Sequence, residues 1–269
     1  MIHDTLAVER FSWAGSTHQE IGEVGEQDNS ILIVPIGSIE QHGHHLPVAT
    51  DSILVDAVVS KTGTHLTEIE EEIPFLVTPT MWSGYSPHHM TVGGTLTASF
   101  STLLALLTDI TKTGLEGGFD TVLLVNGHGG NAPLISAATS ELGSELPDKR
   151  FFSCSYFKLA TPFVDEIRDS KTGGIAHGGE FETSLMLCLR PDLVQLDRLN
   201  VTYREDPYSY TSKEMFDAGP LSVYRSFAEM SETGELGDPT LATERKGKIL
   251  LENLVAELTT IICEIHKGQ

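Results

Sequence analysis

Residues 31–52 read ILIVPIGSIEQHGHHLPVATDS, and the change of composition within this stretch decides the fold. Its first part, residues 31–36, is a β-branched apolar run that predicts a buried strand. A glycine ends the run, and a glutamate, three histidines and an aspartate follow among glycine and proline turn signals. Helical spacing then begins at residues 51–61, where Asp51 or Ser52 is expected to serve as the N-cap. A strand, a polar loop and a helix in this order are typical of α/β proteins.

The rest of the chain repeats this alternation of short apolar strands and longer helical patterns. Further strands are predicted at 75–78, 121–125 and 151–156, and helices at 97–116, 132–142, 180–190 and about 240–266. Continuous apolar strands separated by helices indicate a parallel sheet that is covered on both faces. We expect one domain over residues 1–269, in which the less regular segment 191–238 forms a loop or cap.

The composition is that of a globular protein with an unusually acidic balance. Of the 269 residues, 40% are hydrophobic and 20% charged, and the formal net charge is −21 at pH 7. This charge argues against a nucleic-acid partner, because binding the phosphate backbone requires clustered Lys and Arg. An acidic binding face is one interpretation. The other is a solvated acidic surface that suits a high-salt cytoplasm, where salt screens the self-repulsion.

The sequence predicts a cytoplasmic protein that does not enter a membrane. No apolar run approaches the roughly 18–20 residues of a membrane span. The N-terminus lacks the basic start and apolar stretch of a signal peptide. The three cysteines form no CxxC pair, and their odd number does not suggest a disulfide framework.

The loop after the first strand carries candidate metal ligands. Glu40 and His42 are separated by one residue, so in an extended segment their side chains point to the same side. Asp51 follows after turn signals that can return its carboxylate to the same centre. Carboxylate and imidazole ligands together suit Zn, Mn or Fe(II), and two ions sharing an aspartate would form a two-metal hydrolytic site. The alternative is that Glu40 and His42 are exposed loop residues and Asp51 only caps a helix.

A glycine-rich turn, NGHGGN at residues 126–131, follows the strand predicted at 121–125. Ligands of parallel α/β sheets bind at the carboxyl ends of strands, so this turn is expected near the first loop. His128 is a candidate ligand. Gly129 and Gly130 precede a predicted helix, and free N–H groups there can bind an oxyanion or a substrate carbonyl.

The stretch IAHGGEFETS, residues 175–184, supplies three further candidates. His177, on a glycine loop, is a candidate general acid/base or substrate contact. Glu180 is expected to complete the metal shell. Glu182 either binds the metal in its place or orients another ligand by hydrogen bonding to it. The alternative is that both glutamates simply favour a helix N-terminus through its dipole.

Four other histidines lie close to these motifs in the sequence. His88 and His89 belong to a loop at residues 83–97, and His89 is a candidate substrate contact, with a surface position as the alternative. His44 and His45 directly follow the first motif and are expected to be loop packing or surface groups.

Taken together, PIGSIEQHGHHLPVATD, SPHHMTVGGTLT, NGHGGN and HGGEFETS, which lie between residues 34 and 184, resemble the motifs of the creatininase family of metal-dependent amidohydrolases. The resemblance implies a three-layer α/β/α sandwich around a mostly parallel sheet, two divalent metal ions (Zn, Mn or Fe) and a homo-oligomer, often a hexamer. By motif position it implies that Glu40, His42 and Asp51 are ligands, with Asp51 bridging the two ions. It also implies that His128 is a further ligand and that His177 is catalytic or contacts substrate.

The chain also departs from the family pattern. True creatininases carry Tyr and Glu directly after the motif histidine, where this chain has Gly129 and Gly130. That Glu is a metal ligand in them, so its role must pass to Glu180, Glu182 or water. They also cover creatinine with tryptophans that precede the position of His177, whereas the two tryptophans of this chain lie much earlier. Creatinine itself is therefore not the expected substrate.

The sequence as a whole predicts a hydrolase of a small molecule with a non-peptide C–N bond, a cyclic amide or a formamide. A metal-activated water would attack the carbonyl, and the turn at Gly129 and Gly130 would help to stabilise the oxyanion. His177 or one of the two glutamates, with Glu182 as the catalytic candidate, would protonate the leaving nitrogen. The alternatives within the family are a formamide deformylase of flavin and deazaflavin precursor synthesis and a mycofactocin-type precursor peptidase. A non-catalytic metal-binding protein is the alternative outside enzymes.

Overall fold

In the computed structural model, four strands form a parallel sheet in the order β2-β1-β3-β4. The structure describes residues 9–69, 72–205, 208–216 and 219–268. The strands are β1 (Ile31–Ile36), β2 (Phe75–Val77), β3 (Thr121–Asn126) and β4 (Arg150–Ser155). All residues of β1 and β3 are buried, because these two strands are central and both sheet faces are covered. The four predicted strands are confirmed, with ends that differ by one residue at most.

Helices flank the sheet on both faces. They are α1 (His18–Gly25), α2 (Thr50–Leu66), α3 (Phe100–Leu115), α4 (Ala132–Glu145), α5 (Val164–Ile167), α6 (Glu180–Leu189) and α7 (Glu244–Lys267). The sequence did not predict α1, whose start is fixed by a capping box between Thr17 and Glu20. The expected N-cap of α2 is wrong: the cap residue is Ala49, and Asp51 and Ser52 already lie in the first turn.

Alternate residues of the central strands feed two separate cores. Leu32 and Val34 of β1 pack with α3 and α4 on one face, and Ile31 and Ile33 pack with α2, α6 and α7 on the other. This alternation is what a strand buried on both faces requires, since successive side chains point to opposite sides. The predicted α/β architecture, a mostly parallel sheet between two helical layers, is confirmed.

The segment 191–238 crosses the carboxyl edge of the sheet as a cap. Its described parts contain short 3₁₀ turns, among them Pro191–Leu193, Leu196–Arg198 and Phe227–Glu229, and residues 206, 207, 217 and 218 lie outside the described ranges. Backbone contacts fix its end against the loops below, because the Leu236 N–H donates to the His177 carbonyl oxygen at 2.7 Å. None of the helices in the described ranges is long and apolar enough to cross a membrane.

Candidate metal centre

Two loops that leave the same edge of the sheet carry most of the candidate ligands. β1 and β3 are paired in register up to Ile36 and Asn126, so the segments after them begin side by side. Asn126 shapes the second loop: its amide donates to the His128 carbonyl oxygen at 2.7 Å, and its oxygen accepts from the His128 N–H at 3.0 Å. This arrangement brings the His128 ring against the loop that follows β1.

Glu40, Asp51 and His128 form the first group of candidate ligands. The Nδ1 atom of His128 lies 3.0 Å from Oε2 of Glu40 and 3.2 Å from Oδ2 of Asp51. All three side chains are buried, with at most 4% of the side-chain surface exposed. Asp51 reaches the group because α2 starts directly behind the loop, which turns its first helical residues toward the sheet edge.

His42, His177 and Glu182 form a second group beside the first. The Nε2 atom of His42 lies 3.9 Å from Oε1 of Glu182, and the rings of His42 and His177 are 4.1 Å apart. Asp51 connects the two groups, since its Oδ1 atom is 3.1 Å from His42 Nε2 while its Oδ2 atom faces His128. Its two carboxylate oxygens therefore point at two different sets of ligands.

His89 and His177 close the cluster on the side of the cap. Together with Glu40 they form a third group of potential ligands. His89 Nε2 lies 3.1 Å from Glu40 Oε1, and His177 Nδ1 lies 3.7 Å from the same oxygen. The Nε2 atom of His177 is 2.6 Å from the Gln41 carbonyl oxygen. Because a carbonyl oxygen only accepts, His177 carries its proton on Nε2 and turns the lone pair of Nδ1 toward the cluster.

The buried carboxylates hold two imidazoles in the charged state. Burial alone would raise the pKa of Glu40, but His128 and His89 outweigh it and lower the pKa to about 2. Burial would likewise lower the pKa of His128, whereas Glu40 and Asp51 raise it to about 10. The pKa of His42 is raised well above its usual value, since Asp51 and Glu182 overcome the effect of burial. The cluster thus demands compensating positive charge, which metal-free protein takes up as protons.

The remaining histidines of the site are neutral. Burial, reinforced by the charged His42 ring, lowers the pKa of His177 well below its usual value. Burial and the neighbouring His128 lower the pKa of His88 to about 4. The pKa of His89 is lowered by burial and by His177. A neutral imidazole keeps a lone pair, so these residues can bind a metal or accept a proton.

The residues present fit a metal ion. Glu40 Oε1 and Asp51 Oδ2 are buried and accept no well-aligned hydrogen bond from any described residue, although imidazole nitrogens lie 3.1 and 3.2 Å away. Two ligand atoms held about 2.1 Å from one ion lie roughly 3 Å apart, which matches this spacing. Mixed imidazole and carboxylate donors are those that Zn, Mn and Fe(II) accept. The geometry therefore suits divalent cations bound between the side chains.

Glu180 lies elsewhere, and the expectation that it completes the metal shell is corrected. Its carboxylate accepts from the backbone N–H groups of Asp169 and Ser170, each at 2.9 Å, and forms an ion pair with Lys246 of α7. Residues two apart on a helix face different sides, so only one of Glu180 and Glu182 can point at the cluster. That residue is Glu182, whose Oε2 atom accepts from the Gly178 N–H at 2.6 Å.

A cavity of about 610 Å³ opens above the cluster. Its inner wall includes members of all three ligand groups, and Gly129 and Gly130 line it from the side of β3. These two glycines begin a 3₁₀ turn, Gly129–Asn131, that leads into α4 at Ala132. His89, expected as a substrate contact, lines the same cavity. The volume is that of a pocket for a small molecule.

Several residues that support the cluster carry no signal of their own in the sequence. Gln41 lies within 2.9 Å of His89 Nδ1 and donates to the Gly234 carbonyl oxygen at 2.8 Å, which ties the loop to the cap. Phe227 of the cap stacks on His89 with ring centres 4.0 Å apart. His45 is fully buried, and its Nε2 atom lies 3.0 Å from the Gly178 carbonyl oxygen. It was expected to be a packing or surface group, and its packing holds the loop that carries His177.

A family model for creatinine amidohydrolase matches residues 14–262 of this chain. Among curated proteins, the mycofactocin precursor peptide peptidase of Mycobacterium ulcerans (strain Agy99) is 29% identical over 259 residues, which cover 92% of this chain and 93% of that protein. The creatinine amidohydrolase of Pseudomonas putida is 29% identical over 251 residues, covering 87% of this chain and 89% of that protein.

Solved structures show the same similarity. A mutant creatininase of the Zn–Zn type aligns with a TM-score of 0.80 at 27% identity, covering 94% of this chain and 97% of that chain. A manganese creatininase aligns with a TM-score of 0.75 at 25% identity, covering 94% of this chain and 98% of that chain.

Proposed function

The chain belongs to the creatininase family, and we propose that it is a two-metal amidohydrolase that cleaves a non-peptide C–N bond, a cyclic amide or formamide, in a small molecule. The family model confirms the predicted family, and the relatives confirm the prediction of a metal-dependent hydrolase. One observation carries the two-metal proposal: the two oxygens of Asp51 face His42 and His128 separately.

Because the two carboxylate oxygens of Asp51 face different residues, each oxygen defines one ligand set. Glu40, Asp51 and His128 would hold one divalent ion, and His42, Asp51 and Glu182 would hold the other. Bound there, the ions would lower the pKa of a water molecule and polarise the substrate carbonyl. Glu182, expected as a catalytic group, is here assigned as a ligand, because its Oε1 atom is directed at His42 while Gly178 holds Oε2.

His177 is the residue that moves the proton. Its Nε2–H donates to the Gln41 carbonyl oxygen, which fixes the ring and leaves Nδ1 for proton transfer. Burial lowers the pKa of His177, so the ring is neutral and its Nδ1 lone pair can take the proton of the attacking water, while the same low pKa favours passing that proton on. His177 can then return the proton to the leaving nitrogen. Gly129 and Gly130, on the cavity wall, are placed where backbone N–H groups can stabilise the oxyanion.

Creatinine is disfavoured by the lining of the cavity. Among the described residues that line it there is no tryptophan. Trp82 is 47% exposed, and Trp13 packs against Phe119 in the sheet core with ring centres 5.9 Å apart. The aromatic groups near the cluster are instead Tyr85 and Phe227. A cyclic amide or a formamide remains the proposed substrate class.

Peptide cleavage is a second candidate, supported by a specific similarity. The relative that matches 92% of this chain is described as a precursor peptide peptidase. The cap also leaves the cavity open to solvent at exposed Tyr224, which would admit the end of a peptide. A modified peptide therefore belongs in any substrate panel.

Metal-dependent turnover tests the proposed function. Protein purified without chelator would be assayed for release of amine or formate from creatinine, cyclic imides, formamidopyrimidines and a modified peptide. We expect turnover of one non-peptide class, its loss after chelation and its recovery with Zn or Mn. Turnover that survives complete removal of metal would contradict the proposal, and cleavage of the peptide alone would favour the second candidate.

A matched pair of variants adds a control to this assay. Glu182→Gln should lower kcat/KM by more than about 100-fold, since it removes a ligand of one ion. Glu180→Gln, two residues away on the same helix, should retain turnover, because Glu180 faces Lys246 instead. The opposite result would mean that the two glutamates have exchanged roles.

The proposed assembly rests on the family resemblance alone. A homo-oligomer, with the hexamer as the specific expectation, is tested by sedimentation equilibrium, in which a monomer at assay concentrations would contradict it. Cytoplasmic localisation stays a prediction from the sequence.

A further inference from the structure

The outer wall of the cavity is built by the cap and differs in charge from the inner wall. Three basic residues of the cap line this wall, and we refer to them as the cap cations: Arg204, Lys213 and Arg225. The inner wall instead carries the carboxylates of the ligand cluster. A substrate reaching from the cluster to the opening would therefore meet the cap cations with its far end.

This placement is unusual for so acidic a chain. Acidic residues number 38 against 17 Lys and Arg, and the formal net charge is −21. An acidic surface repels anions at long range, so an anionic molecule needs local cations to bind at all. Three of the 17 Lys and Arg side chains line this one cavity. This clustering is what binding of an anion would require.

The acidic residue of the outer wall does not cancel the cap cations. Glu214 is the one acidic side chain among the described lining residues outside the ligand cluster. Arg168, which does not line the cavity, holds it through contacts of 2.9 and 2.7 Å, and the Gly173 N–H donates to it at 2.6 Å. Its charge is therefore already neutralised by Arg168 and not by the cap cations.

Arg225 has donor capacity that the cap leaves unused. Its Nη2 atom donates to the Glu229 backbone oxygen at 3.1 Å, which orients the guanidinium. Its Nη1 atom is buried and makes no hydrogen bond to any described residue. The Glu229 carboxylate comes only within 4.0 Å of Nε and is itself exposed, so water weakens this ion pair. No carboxylate of the described residues therefore pairs closely with this guanidinium, and an anion bound in the cavity that Arg225 lines would pair with its charge.

Arg204 is packed into the same wall. Its Nη1 atom lies 3.8 Å from the Met230 sulfur, and Met230 also lines the cavity. Lys213 is exposed and sits closer to solvent, where a flexible ammonium group can meet an incoming anion. A guanidinium group can bind a planar or tetrahedral anion through parallel hydrogen bonds, and Arg225 brings such a group to the cavity wall.

We infer that the substrate carries an anionic group, a phosphate or a carboxylate, which binds the cap cations while its C–N bond lies at the metal cluster. The inference rests on the proposed function, because it assigns the substrate class of that same cavity. The anion holds the substrate by its far end, so the reacting carbonyl is presented to His177 and the ligand cluster.

Calorimetric titration of the metal-loaded protein with inorganic phosphate, and separately with acetate, tests the cap cations without any turnover. Arg225→Gln should weaken phosphate binding by about 10- to 100-fold, the effect of losing hydrogen bonds to a charged group. Lys213→Gln, at an exposed position where folding is unaffected, should weaken it a few-fold. Arg190→Gln is the control, since Arg190 pairs with Asp192 away from the cavity.

Equal phosphate affinity in wild type and in all three variants would overturn the inference, because binding would then occur at the metals alone. Failure of wild type to bind either anion would overturn it as well. Acetate bound as tightly as phosphate would identify a carboxylate as sufficient, whereas a clear preference for phosphate would identify a phosphomonoester.

Kinetics separate this inference from the proposed function. A formamide and its phosphorylated counterpart would be compared at equal metal loading, and we expect a higher kcat/KM for the phosphorylated one that Arg225→Gln abolishes. Equal rates for both would overturn the inference while the hydrolase proposal stands. No hydrolysis of any panel member would count against the hydrolase proposal, and the binding titration would still decide whether the cap cations hold an anion.

Discussion

Gly130 stands where the creatininase pattern has a glutamate, and its surroundings are too close for a side chain. A Cβ atom at Gly130 would lie under 3.0 Å from His128 Nε2, Tyr85 O and His88 Cε1. No side chain fits there without moving the ring of a candidate ligand. A carboxylate therefore cannot come from this turn, and Glu182 on α6 supplies one from the opposite side of the cluster.

Substitution of the two turn glycines should have very different effects. Gly130→Ala overpacks the turn and should destabilise the protein by about 1–3 kcal/mol and lower turnover by displacing His128. Gly129→Ala is the control, since a Cβ there meets nothing within 4 Å. Thermal melts and kcat measurements on both variants provide the comparison. A Gly130→Ala protein as stable and active as Gly129→Ala would contradict this prediction, because the turn would then accommodate a Cβ atom without displacing His128.

The directions of single side chains were only partly predictable. The i, i+2 spacing of Glu40 and His42 predicted one common centre, whereas the structure places them in separate ligand groups that have His177 in common. The choice between Glu180 and Glu182 was not predictable, because spacing does not reveal the rotation of a helix about its axis. Packing of α6 against α7 sets that rotation, and Glu180 forms an ion pair with Lys246 of α7.

At the scale of elements, a buried ion pair joins α6 to α7. Lys246 is 4% exposed, contacts the Glu180 carboxylate and donates to the Leu241 carbonyl oxygen at 2.8 Å. Burial would raise the pKa of Glu180, but the bonds from Lys246, Ser170 and Asp169 hold it below its usual value. This pair fixes the first turn of the helix that presents Glu182.

Removal of the lysine charge should destabilise the protein without removing metal. Lys246→Met leaves Glu180 buried without its cation, at a cost of about 1–3 kcal/mol. Lys248→Met, at an exposed position on the same helix, should change stability by less than about 0.5 kcal/mol. Urea unfolding measures both, and elemental analysis should find equal metal in the two variants. Loss of metal in Lys246→Met but not in Lys248→Met would contradict this prediction and would make Glu180 a candidate metal ligand again.

Strands and long helices were predictable because their apolar runs or periodic faces are continuous. The segment 191–238 was expected to form a loop or cap, but its course was not predictable, since no periodicity runs through it. Its position depends on distant contacts, such as the bond from Gln41 to the Gly234 carbonyl oxygen. Phe227 and Arg225 reach the cavity only through those contacts, which no local pattern encodes.

For the whole molecule, the net charge of −21 predicts a salt-dependent stability. Like charges repel across the surface, and raising KCl from about 0.1 to 1 M shortens the Debye length from about 10 to 3 Å. We expect the Tm to rise over this range. Sucrose, which does not screen charge, is the control for general solvent effects. A Tm that falls with KCl would argue against adaptation of the surface to high salt.

The meeting of the two motifs that follow β1 and β3 was predictable from topology. Parallel strands end at one edge, so the loops after β1 and β3 had to converge. The cap cations could not be foreseen, since they are scattered over residues 204–225 with no spacing that relates them to the cluster. Their shared cavity exists only once the cap has folded over the edge.

Asp51 is proposed to divide one buried cluster between two divalent ions. Elemental analysis of protein purified without chelator tests this proposal directly, with Asp51→Asn compared with Asp56→Asn on the same helix. Asp56 accepts from Thr80 Oγ1 at 2.6 Å and lies outside the candidate ligand groups of the described residues, so it serves as the control. We predict about two metal ions per chain in wild type and Asp56→Asn, and a clear loss in Asp51→Asn. Metal-free wild type after incubation with Zn or Mn, or full metal content in Asp51→Asn, would contradict the account.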